Sequence, residues 1–178
     1  VPLKEAWAQS QPVTLAPANY SVSLPAPDKV QPLIERERRI LVSKSLERLI
    51  APYRAMLLTN PNDPGARLQI AILYAQNGLY DQAFREFDKL LATDPRSAEA
   101  HNNRGNIYYT LADYERAFEA YAYAEELDPA DGGIKLNLAL THYQRGRLKE
   151  AVEKYREAVA LNKVLAGQYQ AFEKLLLK

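Results

Sequence analysis

The sequence predicts an all-α fold built from stacked antiparallel helix pairs, a solenoid. Two observations carry this. Many independent columns of residue types recur at one fixed spacing of 34 along the chain. Within each period, apolar residues fall three and four apart, the spacing of one helical face. Composition fits: 178 residues, 47% apolar and 25% charged, are enough for a buried core in a single domain.

The repeat columns are explicit. Pro61, Pro95 and Pro129 follow Asn60, Asp94 and Asp128. Ala83, Ala117 and Ala151 align, as do Phe87, Tyr121 and Tyr155, and Ala71, Gly105 and Ala139. Tyr80, Tyr114 and Leu148 form another column, and Tyr74, Tyr108 and His142 another. Within one unit, Ile70, Ala71 and Tyr74 share a face of a first helix. Gly78 ends that helix because it tolerates positive φ. Asp81 lies near the next helix start, where a carboxylate favours the dipole. Ala83, Phe87 and Leu90 line a second helix. Asp94-Pro95 closes the unit, since the residue before proline avoids the α region. The small column lets two helices approach, and the aromatic column fills the space they enclose.

These columns divide the chain in order. Residues 1–32 hold six of the 11 prolines and are expected to be an extended tail or linker. Residues 33–63 form a degenerate repeat or N-terminal cap. Its first helix lies around Leu33–Lys44, and its second carries Leu49, Tyr53 and Met56, with Pro52 expected to kink or divide it. Residues 64–97, 98–131 and 132–165 are full units. Residues 166–178 are a capping helix with Tyr169, Phe172 and Leu176 on one face.

The three full units resemble the tetratricopeptide repeat family. That family favours a small residue at position 8, Tyr at 11, Ala at 20, an aromatic at 24, Ala at 27 and Pro at 32. Residues 98–131 match with Gly105, Tyr108, Ala117, Tyr121, Ala124 and Pro129. The first unit departs at Leu90, and the third at His142 and Lys163. The resemblance implies a right-handed superhelix whose concave groove, lined by the first helices, takes an extended peptide. Carried onto this chain, it implies groove residues Leu68 and Ile72; Asn102, Asn103, Asn106 and Tyr109; and Leu136, Leu140 and Tyr143. Asparagine offers both donor and acceptor, so it can pair with peptide backbone whatever the side chains. The opposing reading, that Leu68, Ile72, Leu136 and Leu140 only pack between repeats, stays open. Chaperone-tail binders of the family carry a Lys and an Asn where Leu68 and Ile72 stand, which argues against that ligand class.

The tail is the first candidate ligand. Trp7, Tyr20, Val22 and Leu24 are spaced apolar anchors that the groove would take in cis or from another copy.

The chemistry excluded is broad. Without cysteine there is no disulfide, thiolate zinc site or thiol nucleophile. No phosphate-binding, dinucleotide or H-E-x-x-H motif occurs, and His101 and His142 lack further metal ligands. No catalytic residue, metal site or cofactor is expected. A net charge of +1 argues against nucleic acid as partner, and no apolar run is long enough for a transmembrane segment. Charge is uneven, with 6 basic and 12 acidic residues in 65–131 but 9 basic and 4 acidic in 132–178. Self-association through the tail or through these charge-complementary ends is a further expectation. The function expected is a non-enzymatic protein-interaction module that supports complex assembly. Two alternatives remain: an accessory domain of a larger enzyme or bacterial secretion or envelope machine, and a periplasmic small-ligand binder. The Pro/Ala/Ser/Gln tail favours the bacterial periplasm or envelope over the cytoplasm.

Overall fold

A computed structural model describes residues 27–176. The chain divides into two units at Ile40/Leu41. Of the first unit, only the beginning of one helix is described. All packing below belongs to the second unit. Among the described residues the structure is helical, in the order α1 (Pro27–Thr59), α2 (Pro64–Gln76), α3 (Tyr80–Thr93), α4 (Ala98–Thr110), α5 (Tyr114–Leu127), α6 (Gly132–Gln144), α7 (Leu148–Leu161), α8 (Val164–Gln168) and α9 (Gln170–Leu176).

The three pairs α2/α3, α4/α5 and α6/α7 are built by one local code. Each first helix is capped at the same repeat position. Asp63 accepts from the Ala66 amide at 2.7 Å, Ser97 from Ala100 at 3.3 Å and Asp131 from Ile134 at 3.2 Å. Each pair then turns through a left-handed residue: Gly78 at φ 72°, Ala112 at φ 59° and Gly146 at φ 73°. The core lies between the two helices of a pair and the next pair's first helix. Ala83, Ala117 and Ala151 are fully buried. Phe87, Tyr121 and Tyr155 are 0, 2 and 5% exposed. At Gly105 the approach is so close that a Cβ would stand 2.5 Å from the Tyr121 ring.

Polar ties join successive pairs. Lys135 on α6 pairs with Glu125 of α5 at 2.6 Å and Glu157 of α7 at 2.7 Å, and Lys154 of α7 reaches Glu125 at 2.7 Å. Burial works against ionised Glu125, but hydrogen bonds from both lysines outweigh it and lower its pKa. Arg145 binds Glu115 at 2.9 Å through Nε and lies over the Phe118 ring at 4.3 Å. His142 is buried, its ring 5.1 Å from that of Phe118, and burial lowers its pKa.

The structure corrects the N-terminal reading in four respects. Residues 27–32 are helical rather than extended, with Pro27 at the first helical position, where no amide hydrogen is required. Residues 33–59 are not a helix pair but part of one helix of 33 residues. Nothing at Lys44–Glu47 supplies a turn signal. Pro52 does not divide this helix; it is exposed, so the carbonyl it leaves without a helical partner can face water. The core stripe also differs from the one expected. Leu46 and Ile50 are buried against Ile70, with Tyr53 and Leu57 beside them, whereas Leu49 and Met56 are 55 and 46% exposed. The expected columns would face a partner first helix, and among the described residues none lies over that face of α1.

Candidate functional site

The first helices α2, α4 and α6 carry two adjoining depressions. One, of about 240 Å³, lies between α2 and α4 and includes Ile72, Tyr80, Asn103, Asn106 and Thr110. The other, of about 160 Å³, lies between α4 and α6 and includes Asn106, Tyr109, Tyr121, Asn137 and Leu140. Asn106 lines both. It is exposed, because the small Gly105 beside it turns inward against Tyr121 and leaves position 106 on the open face.

A polar ladder runs through these residues. The Tyr121 hydroxyl donates to Asn106 Oδ1 at 2.8 Å. Asn137 Nδ2 donates to Asn102 Oδ1 at 2.9 Å and to Asn106 Oδ1 at 3.2 Å. Asn106 Nδ2 reaches Asn103 Oδ1 at 3.4 Å, and Asn103 Nδ2 donates to the Glu99 carbonyl at 2.8 Å. Gln144 Nε2 donates to the Tyr109 hydroxyl at 3.3 Å, and the Tyr109 ring meets Tyr114 edge-on at 5.4 Å. Burial raises the Tyr121 pKa, so its hydroxyl stays protonated and remains a donor. The amides hold one another in fixed orientations, so little side-chain entropy remains to be lost when a ligand pairs with them.

The ladder carries no net charge, and its free capacity is mixed. Among the described residues, Asn102 Nδ2 and Asn137 Oδ1 are engaged by no other side chain or backbone group. One free donor and one free acceptor are the two kinds of group that the N–H and C=O of an extended backbone require.

The expected groove residues separate on burial. Ile72, Asn103 and Asn106 meet at the first depression, and Asn106, Tyr109 and Leu140 at the second. Asn102 joins them through Asn137. Leu68 and Leu136 do not belong there. They are 8 and 3% exposed and sit inside two different core clusters, while Asn102 in the same column keeps partial exposure. Tyr143 is half-buried against Phe172 of α9, ring to ring at 5.5 Å. Trp7, Tyr20, Val22 and Leu24 lie outside the described residues. Asn137 was missed by sequence reasoning, although the polar column Gln69, Asn103 and Asn137 at 34-residue spacing was available to find it. Among the described residues no group of His, Asp or Glu is placed to hold a metal ion, and no helix is long and apolar enough to cross a membrane.

Comparison with known proteins places this geometry. The family model described as "Tetratricopeptide repeat" matches residues 68–132 and 113–164. Tetratricopeptide repeat protein 13 of Homo sapiens is 28% identical over 116 residues, which is 65% of this chain and 13% of that protein. The type IV pilus assembly protein PilF of Pseudomonas aeruginosa is 28% identical over 119 residues, 66% of this chain and 47% of that protein. The solved structure of Pseudomonas aeruginosa pilF superposes with a TM-score of 0.62 at 26% identity, covering 76% of this chain and 63% of the other. The chain thus spans less than half the length of these two curated relatives.

Proposed function

The chain belongs to the tetratricopeptide repeat family, and from that premise we propose that it is a protein-interaction module whose two depressions bind an extended polypeptide. The observation that supports this most directly is the ladder of Asn102, Asn106 and Asn137, which keeps one donor, Asn102 Nδ2, and one acceptor, Asn137 Oδ1, unengaged among the described residues. Ile72 and Tyr80 on one side, and Tyr109 and Leu140 on the other, give apolar seats for alternate side chains of the ligand. Backbone pairing supplies orientation and the seats supply preference. The depressions are shallow, so selectivity rests on spacing between anchors rather than on one deep pocket.

A second reading concerns context. The likeness to a type IV pilus assembly protein favours a module that serves assembly of a larger envelope complex, with any chemistry performed elsewhere.

The test is peptide selection from a displayed random library, followed by calorimetry with the peptides recovered. A synthetic peptide of residues 1–26 serves as a further probe. Binding is expected to fall about tenfold in Asn106→Ala and Asn137→Ala, about 1.4 kcal/mol, the scale of one lost hydrogen bond in a desolvated contact. It is also expected to fall when backbone amides of the peptide are N-methylated. Peptides that bind both variants as well as the parent would sink the groove as the working site.

A further inference from the structure

The charges on the first helices leave the two depressions neutral. Along α2, α4 and α6, histidines aside, the sequence places four charged side chains: Arg67, Glu99, Arg104 and Lys135. None of the three cations lines a depression. Each is matched by an acid on a second helix. Arg67 pairs with Glu86 of α3 at 3.3 Å and Arg104 with Asp88 of α3 at 3.2 Å. Lys135 pairs with Glu125 of α5 at 2.6 Å and Glu157 of α7 at 2.7 Å. Register explains two of these. Arg67 and Lys135 stand four residues before the buried Ala71 and Ala139, on the face that meets the second helices. The histidines are occupied too. His101 Nε2 lies 3.1 Å from the Pro95 carbonyl, and His142 is buried against Phe118.

The depressions are lined instead by amides, hydroxyls and apolar groups, with no Asp, Glu, Lys, Arg or His among them. Glu99 is the one charge beside them. It shares a face of α4 with Asn102, Asn103 and Asn106, which follow it by three, four and seven residues. It is exposed and, among the described residues, forms no ion pair. Asn103 engages its main-chain carbonyl and not its carboxylate. In the first turn of α4 that carboxylate also favours the helix dipole.

We propose that the ligand segment is uncharged where it sits in the two depressions, and carries a basic rather than an acidic residue where it passes Glu99. This rests on the groove reading above and adds the class of peptide to it. A carboxylate or ammonium seated between these helices loses hydration and finds no counter-charge in the lining to replace it. A free C-terminal carboxylate over the ladder meets the Glu99 charge as well. The amides and hydroxyls pair with a neutral backbone or a neutral polar side chain without that loss. Glu99 is exposed, so its pull on a cation is modest and screened by salt. Selectivity then comes from what the site rejects as much as from what it holds.

Calorimetry on the whole chain tests this, using library-selected peptides whose binding Asn106→Ala weakens. The seated stretch of each peptide is the run over which alanine substitution weakens binding. It is expected to lack Asp, Glu, Lys and Arg. Glu or Lys placed within it is expected to weaken binding about tenfold or more. For an uncharged peptide, affinity is expected to change less than about twofold between about 0.05 and 0.5 M sodium chloride. Lysine scanned along the flanks is expected to strengthen binding about two- to threefold at one flank in low salt, and Glu99→Gln to abolish that gain. The Glu99→Gln chain is expected to melt close to the parent, since it loses only a contact with the helix dipole. Asn106-dependent peptides with acidic seated residues, or a lysine gain that survives Glu99→Gln, would overturn the proposal alone. Peptides indifferent to Asn106→Ala would remove the groove reading beneath it as well.

Discussion

The second and third repeats share a frame and differ at one polar pair. In residues 98–131 the aromatic column holds Tyr121, whose hydroxyl donates to Asn106 Oδ1 at 2.8 Å. In residues 132–165 it holds Tyr155, but the position of Asn106 is taken by Leu140, and the Tyr155 hydroxyl is buried without a partner. The first repeat carries Phe87 and Ile72 at these places, so no hydroxyl needs satisfying. The frame therefore constrains volume at the aromatic column and leaves the hydroxyl's fate to the groove residue. Groove chemistry can change from repeat to repeat while the solenoid stays the same.

The largest break in this comparison comes from the small column. Gly105→Ala puts a Cβ 2.5 Å from the Tyr121 ring, with further ring atoms at 2.6 and 3.0 Å. The ring is boxed in, so overpacking is expected to cost about 1–3 kcal/mol. Ala139 already occupies the same column against Tyr155. Ala139→Gly removes a buried methyl from a helix interior and is expected to cost about 1 kcal/mol, chiefly as helix propensity. Urea unfolding of both variants checks the ranking. A Gly105→Ala variant as stable as the parent would show that the two repeats accept the same helix spacing.

This first comparison also shows what sequence could and could not reveal. The small and aromatic columns repeat at one period and are set by packing volume, so the helix pairs were legible from spacing alone. The left-handed turns and the Asp63, Ser97 and Asp131 caps repeat too. At the N-terminus the same column logic misled. Leu49 and Met56 fit the period, but burial depends on a first helix opposite them, and among the described residues the chain runs as a single helix over Pro27–Thr59 instead. In the groove, Leu68 and Leu136 were indistinguishable from ligand-facing residues by position. Only the placement of the paired helix shows that they belong to the core. Asn137 escaped because its importance lies in bridging two neighbouring amides across helices, a contact 35 residues apart at Asn102.

A smaller effect sharpens the hydroxyl comparison. Tyr121→Phe loses a buried hydrogen bond, and Asn106 Oδ1 keeps only its longer contact from Asn137 at 3.2 Å. A loss of about 1 kcal/mol is expected. Tyr155→Phe removes a hydroxyl that has no partner. It is expected to be neutral or stabilising by up to about 1 kcal/mol, since it relieves an unpaired buried group. Thermal melts of the two variants, read side by side, test the contrast. Equal losses would mean that the Tyr155 hydroxyl is satisfied in solution after all.

The turns supply the last contrast, and the smallest. The first and third repeats use Gly78 and Gly146 at φ 72° and 73°, while the second holds Ala112 at φ 59°. An L-residue in that region costs about 1–2 kcal/mol because its Cβ crowds the following carbonyl. Glycine removes this strain but widens the unfolded ensemble, which returns about 0.5–1 kcal/mol of the gain. Ala112→Gly is therefore expected to stabilise the chain by about 0.5–1 kcal/mol, visible as a raised urea midpoint with an unchanged slope. Gly78→Ala and Gly146→Ala should each lose a similar amount: nothing lies within 4 Å of an added Cβ at either glycine, so only backbone strain is added. If Ala112→Gly lowers the midpoint instead, the entropy of the unfolded chain outweighs the strain, and the second turn is relaxed as it stands.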